Sequence, residues 1–333
     1  MILRKPDFYD KFKCTASKCT DTCCIGWEID IDKDSQEVYR KVAGTFGDKL
    51  RANIEDGHFK LQAKDRCPFL NKNNLCEIYE NLGEDALCDI CSEHPRFVEV
   101  YGDIMERGIG LCCEEAARLL FADEGPLQFI TSEIDEPEDE LDEDDIEIRD
   151  QVLYERDVYL KTLANSGMPL HNKLYQVFGY TDEKLYAPFE SAEAMVEKLS
   201  QTISYGPAWN EALARIQASL KNYAEGSSEK CGATLRDQGY FSESDSIRLL
   251  AYLIYRHYAK CLFEGREQGK QKFALFFWNI ARFFTRELAG ESVDTLSSAE
   301  SAMRIKINAV KILSKQLEYC EENMKLIETA LDD

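Results

Sequence analysis

Ten of the 13 cysteines lie between Cys14 and Cys113, and only Cys231, Cys261 and Cys320 occupy the rest of the 333 residues. The densest stretch is Cys14-Thr-Ala-Ser-Lys-Cys19-Thr-Asp-Thr-Cys23-Cys24, followed at once by Ile25-Gly-Trp27-Glu28-Ile-Asp30-Ile-Asp32. A buried structural cysteine gains nothing from a second one beside it, whereas a soft metal or an iron–sulfur cluster needs several thiolates together. The fold of this region is therefore expected to be organised by sulfur chemistry as much as by apolar packing.

The full candidate ligand set is Cys14-x4-Cys19-x3-Cys23-Cys24, Cys67-x8-Cys76, Cys88-x2-Cys91 and Cys112-Cys113. The C-x2-C pair Cys88/Cys91 sets two sulfurs on one side of a turn, the usual metal-ligand spacing. Neighbouring residues on a strand point to opposite faces, so Cys23 and Cys24, or Cys112 and Cys113, seldom serve one metal together. Ten thiols suffice for two four-cysteine sites or for one cluster with spares, and thiolate-only sites suit zinc and iron–sulfur alike. The spacing C-x3-C-x2-C is absent, because Cys19-x3-Cys23 runs directly into Cys24. Of the histidines, only His94 stands beside a cysteine group. Cys261 and Cys320 fall on apolar helical faces and read as core residues, while Cys231 lies in a Gly/Ser-containing loop and reads as a free thiol. Gly108-Ile-Gly110 is too short for a nucleotide fingerprint.

A disulfide framework is the competing use of so many cysteines. Met1-Ile-Leu-Arg-Lys-Pro6 lacks the apolar stretch of a secretory signal, so a cytoplasmic, reducing setting is expected, where metal binding is the stronger reading. The most apolar run, Phe273 to Ala281, is interrupted by Asn279 and falls short of the roughly 20 apolar residues of a spanning helix, so no membrane association is expected. The net charge of −22 argues against nucleic acid and is compatible with a basic or lysine-bearing partner, although charge by itself reads first as plain solubility.

Hydropathy patterning predicts a mostly α protein: a small cysteine-rich α+β metal-binding region with short hairpins, then an all-helical domain. In the first region, Ser35–Val42 reads as a helix and His58–Gln62 as a strand. Cys67–Leu70 and Leu75–Tyr79 read as a hairpin around Asn71-Lys-Asn-Asn74. With residues 70 and 75 paired, Cys67 and Cys76 become diagonal neighbours roughly 7–8 Å apart. Glu77–Leu87 is expected to be helical, Pro95 to end the next element, and Val98–Tyr101 with Ile104–Arg107 to form a second hairpin. A helix from Leu111-Cys112-Cys113 to about Phe121 has Glu114 and Glu115 in its first turn. Between Glu133 and Glu147 stand eleven acidic residues and no basic one, which marks a solvated linker. The expected boundaries are thus 1–125, a linker at 126–147, and 148–333. Helices are expected over 148–163, 192–203, 209–223, 244–263, 270–288 and 296–331.

Phe12-Lys-Cys14-x4-Cys19-x-Asp21-x-Cys23-Cys24-x-Gly26-Trp27, Cys67-Pro-Phe-Leu-x5-Cys76-x-Ile78-Tyr79, Leu87-Cys88-x2-Cys91-x3-Pro95-Arg96 and Cys112-Cys113 together resemble the flagellin lysine-N-methylases. Those enzymes carry a wider cysteine-rich zinc- or iron-chelating domain. The resemblance covers about the first 120 residues. It implies methyl transfer from S-adenosylmethionine to lysine side chains of flagellin, with a 4Fe-4S cluster held by the N-terminal cysteines and zinc as the alternative metal. It reaches the cysteines only: no catalytic base and no methyl-donor pocket follow from it. A non-catalytic zinc- or iron-binding protein, for storage or structure, is the other reading of the same residues.

Overall fold

The computed structural model describes residues 1–26, 28–63, 65–180, 186–225, 240–289 and 299–332. Two compact units are present, one of Lys13–Phe97 with Cys113–Glu115, the other of Met1–Phe12, Val98–Cys112 and Ala116–Asp333. These do not coincide with the expected boundaries, and strand pairing gives the reason. Ile2–Pro6 is a strand that runs parallel to Ile104–Ile109 and antiparallel to Phe129–Glu133. The first residues of the chain are thereby sheet partners of the large unit.

The small unit is built from short elements. Asp32 caps the helix Lys33–Lys41 by accepting the Ser35 N–H at 2.7 Å, as an N-cap carboxylate does. A second helix, Gly44–Ala52, leads to the ribbon Ile54–Glu55 and His58–Phe59, joined by Asp56 and Gly57 at φ of 49° and 87°. Two positive-φ residues make a turn whose twist suits adjacent antiparallel strands. The predicted strand over 58–62 is thus confined to His58–Phe59. Ile29, Ile31, Tyr39, Leu50, Phe59, Phe69, Leu70 and Ile78 form the apolar core, with Cys67 and Cys88 embedded in it.

The predicted hairpin over 67–79 is present only as an isolated bridge, and its register differs by one residue: Leu70 pairs with Cys76. The Asn71 side chain accepts N–H groups from Asn73 and Leu75, and Asn74 adopts φ of 57°, so the loop closes one residue later. Glu77–Leu82 is helical as far as Gly83, whose φ of 90° ends it well before Leu87. A five-residue helix, Asp89–Glu93, follows.

The large unit carries a four-stranded sheet, ordered Arg96–Tyr101, Ile104–Ile109, Ile2–Pro6, Phe129–Glu133. The second predicted hairpin is found there, extended at both ends. The two outer partners, Ile2–Pro6 and Phe129–Glu133, were not expected, because five-residue mixed segments give too little alternation to read. At the hairpin turn Gly102 has φ of 70°, and a Cβ there would lie 2.8 Å from an Arg149 guanidinium nitrogen. Arg149 donates to Tyr101 O and Asp103 Oδ1, fixing the turn against the helix Glu143–Ala164.

The acidic stretch is correspondingly not a loose connector. Glu133 is the last residue of a strand, Ile134 N–H donates to Met1 O, and Asp139 N–H donates to Gly102 O. Asp142 then caps Glu143–Ala164, placing three acidic residues in a first turn that the helix macrodipole favours. That helix begins five residues before the expected start at Ile148.

The other helices among the described residues are Glu114–Leu120, Leu170–Phe178, Ala192–Ser200, Pro207–Glu225, Glu243–His257, Cys261–Glu264, Glu267–Ala289, Ala299–Leu313 and Glu321–Asp332. Leu170–Phe178 was unforeseen. Glu267–Ala289 buries Phe273, Phe276, Phe277, Trp278, Ile280, Phe283 and Phe284 and packs on Glu243–His257 and both final helices. The long helix expected over 296–331 is divided by a π-helical turn, Ser314–Glu318. Gln316 in this turn and Asn323 in the helix after it bond to the backbone of Ile203 and Tyr205, and the Asn323 amide also donates to Gln316 O. Cys261 and Cys320 are buried in this unit as core residues, and Cys231 lies outside the described residues. No described helix is long and apolar enough to cross a membrane.

Candidate functional site

Backbone contacts gather the thiols of the small unit. Cys67 N–H donates to Cys24 O at 2.9 Å, which ties the first cysteine stretch to the start of the loop Cys67–Cys76. Glu77 N–H donates to Phe69 O at 2.8 Å, returning the chain with Cys76 as the N-cap of Glu77–Leu82. Cys88 is the N-cap of Asp89–Glu93, which carries Cys91 one turn on. Asp32, already capping Lys33–Lys41, uses its other oxygen to accept Asp89 N–H at 3.0 Å, and Tyr39 Oη donates to Ala86 O at 2.8 Å. Asp32 and Tyr39 therefore hold the Cys88/Cys91 turn in place. Neither stood out in the sequence, although Asp32 three residues before Ser35 is a readable helix-start signal.

The result is that Cys67 and Cys88 lie inside the apolar core and Cys24, Cys76 and Cys91 pack at its edge. Their closeness is felt electrostatically, each thiol opposing ionisation of its neighbours. Burial pushes the Cys67 thiol up to about 11, with Cys76 and Cys88 adding to the rise. Burial likewise raises Cys76, as do Cys23 and Cys88. Cys91 is raised chiefly by a hydrogen bond shared with Cys88, then by burial and by Cys24 and Cys67; the same bond holds Cys88 below its usual value. Buried thiols that raise one another's pKa stay protonated without a cation, and a bound soft metal ion inverts that preference.

The remaining predicted ligands divide differently. Cys14 is exposed and accepts Ala16 N–H at 3.4 Å; Cys19 is half-buried and raised by burial and by Glu114. Glu114 in turn accepts from both the backbone N–H and the hydroxyl of Thr20. Cys113 belongs to this unit, next to Glu114 in the chain. Cys112 belongs to the other, buried beside Gly110 O and interacting with Tyr319. Gly110 is required there by close approach, because a Cβ would fall 1.7 Å from Tyr319 Oη. His94 is half-buried at the end of Asp89–Glu93.

In donor chemistry, the set Cys24, Cys67, Cys76, Cys88 and Cys91 suits a soft metal or an iron–sulfur cluster. In geometry, no group of three or more His, Cys, Asp or Glu side chains among the described residues is closed around an ion position.

No family model matches the chain, and no solved structure matches it. Among curated proteins, a lysine-N-methylase from Salmonella typhimurium is 31% identical over 133 residues, 37% of this chain and 33% of that protein. A lysine-N-methylase from Salmonella choleraesuis gives the same identity and shares. The flagellar biosynthetic protein FliU of Salmonella muenchen is 32% identical over 133 residues, which cover 79% of its length. The match spans about a third of the length of the two lysine-N-methylases. With most of FliU covered at that identity, the chain belongs to the lysine-N-methylase family.

Proposed function

We propose that this protein transfers methyl groups to lysine side chains of flagellin or a similar protein, with S-adenosylmethionine as donor. The observation that carries the reading is the similarity to proteins named lysine-N-methylase and FliU. The gathering of Cys24, Cys67, Cys76, Cys88 and Cys91 in one core supports a metal-dependent form of it. A 4Fe-4S cluster, or zinc, would be held from this set and would supply a soft, electron-rich centre in an apolar surround.

The chemistry sets one demand on the protein itself. A lysine side chain titrates near pH 10.4, so at neutral pH it is an ammonium with no lone pair to accept a methyl group. The site must remove that proton by desolvating the amine or by presenting an acceptor.

Incubation with S-adenosylmethionine and flagellin, read by peptide mass spectrometry, tests the activity. Addition of methyl groups to flagellin lysines is expected. Unmodified flagellin, with the metal content intact, would favour a storage or structural metal protein. Anaerobic purification with iron and zinc analysis tests the metal separately, and a colourless protein with stoichiometric zinc would exclude the iron–sulfur form.

A further inference from the structure

The helix Glu143–Ala164 has an outer face unlike an ordinary solvated helix. Its inner face buries Arg149, Val152, Leu153, Arg156, Leu160 and Leu163. Both arginines are occupied inside, Arg149 with Asp103 and Arg156 with Glu106. The outward side therefore keeps the acids Glu143, Asp144 and Glu147 with no cation until Lys161 in the last turn. Among them large apolar side chains stand in water: Tyr154 is 68% exposed, Ile148 55% and Val158 41%. Tyr154 and Val158 are one turn apart, and Glu147 precedes them on the same face through Gln151. A surface helix normally turns its polar residues outward, so exposed apolar groups aligned behind a block of acids are a two-part feature.

We infer that this face docks a lysine-bearing amphipathic segment of the protein substrate. The apolar side of that segment covers Ile148, Tyr154 and Val158, and its ammonium groups lie over Glu143, Asp144 and Glu147. Charge complementarity selects this occupant: eleven acids without a base between Glu133 and Glu147 repel an acidic partner and attract a lysine-rich one. The helix-in-groove logic is reversed here, with the enzyme presenting the helix and the substrate supplying the complementary stripe. The assignment rests on the lysine-methylation reading for its choice of partner. It places substrate recognition on an element separate in the chain from the thiol group.

The test uses the full chain, with flagellin as the probe and two variants, Tyr154→Ser/Val158→Ser and Glu143→Gln/Asp144→Asn/Glu147→Gln. Circular dichroism and thermal melting establish that each variant is folded. Binding to flagellin is measured at low and at physiological salt, methyl transfer is measured on flagellin and on a short lysine peptide, and sedimentation gives the oligomeric state. Wild-type protein is expected to bind flagellin more weakly as salt rises. Each variant is expected to lose about tenfold in affinity, with the neutralised one also losing most of its salt dependence. Turnover of the short peptide is expected to stay at the wild-type level. Equal binding and equal KM for flagellin in all three proteins would overturn the docking surface while leaving methylation standing. An apolar variant that turns a dimer into a monomer without weakening flagellin binding would do the same, and a wild-type protein that does not bind flagellin would overturn both the docking surface and flagellin as the substrate. Flagellin held through this face, yet never methylated, would support the docking surface and remove the methylation reading instead.

Discussion

Cys112 and Cys113 are consecutive in the chain, yet they belong to different compact units: Cys112 is buried beside Gly110 and Tyr319, and Cys113 groups with Lys13–Phe97. The backbone turns at this point, Cys112 closing a turn and Cys113 lying in the bend that leads into Glu114–Leu120, so the two consecutive side chains fall in different surroundings.

That division separates ligand from core cysteines by experiment. Cys88→Ala and Cys91→Ala are expected to lower bound metal in the anaerobically purified protein. Cys112→Ala and Cys261→Ala are expected to leave it unchanged while costing stability of about 1 kcal/mol, typical of a buried truncation. Elemental analysis beside a urea titration reads both effects, and equal metal loss at Cys112 and Cys91 would contradict the division.

The buried pair Glu106–Arg156 joins the sheet to the helix Glu143–Ala164, with N···O distances of 2.6 and 2.5 Å and both side chains shielded from water. Removing one partner strands a charge in the interior. Glu106→Ala is expected to destabilise the protein by about 3–5 kcal/mol, and Glu106→Leu combined with Arg156→Met to recover most of that. Denaturant midpoints of the three proteins check it; a mild effect of Glu106→Ala would mean that water reaches the pair.

In metal-free protein the raised Cys67 thiol gives an alkaline dependence. Its folded value is about 11 against an ordinary 9.0, because burial opposes the thiolate. The unfolded chain therefore loses its proton first, and stability present below pH 9 is lost as pH rises towards 11. The loss amounts to about 2–3 kcal/mol for a two-unit difference. Urea midpoints measured in chelator from pH 8 to 11 should fall, and Cys67→Val should flatten the curve.

His257 gives the opposite dependence in the large unit. Its Nε2 lies 2.7 Å from Glu318 Oε1, with Arg256 at 3.2 Å from the same oxygen and the Phe273 ring against the imidazole. Burial dominates and pushes the imidazole down to about 4; Glu318 pulls it up, and Arg256 and Lys260 add to the depression. A depressed pKa means that the unfolded chain takes up the proton first, so stability is lost as pH falls from 6.5 towards 4, by about 3 kcal/mol. Glu318 is also held low, since Arg256 and His257 outweigh its burial, and it extends the loss to lower pH. A His257→Gln variant should show a shallower acid limb between pH 6.5 and 4 in thermal melts; an unchanged limb would assign the dependence to other groups.

Sequence by itself determined what was local. Clustering and spacing of Cys14 to Cys113 marked the thiol region, and the order of its motifs carried the family. Three- and four-residue apolar periodicity found most of the helices, because each amphipathic face is written within its own segment. Tertiary structure alone decided what depends on distant partners. Ile2–Pro6 is a strand only because Ile104–Ile109 and Phe129–Glu133 flank it, and the acidic stretch is anchored only because Met1 and Gly102 lie beside it. On either side of the break in the last helix, Gln316 and Asn323 find partners more than a hundred residues earlier. Asp32 and Tyr39 became parts of the thiol group's frame for the same reason: a hydrogen bond across 57 or 47 residues leaves no period in the sequence.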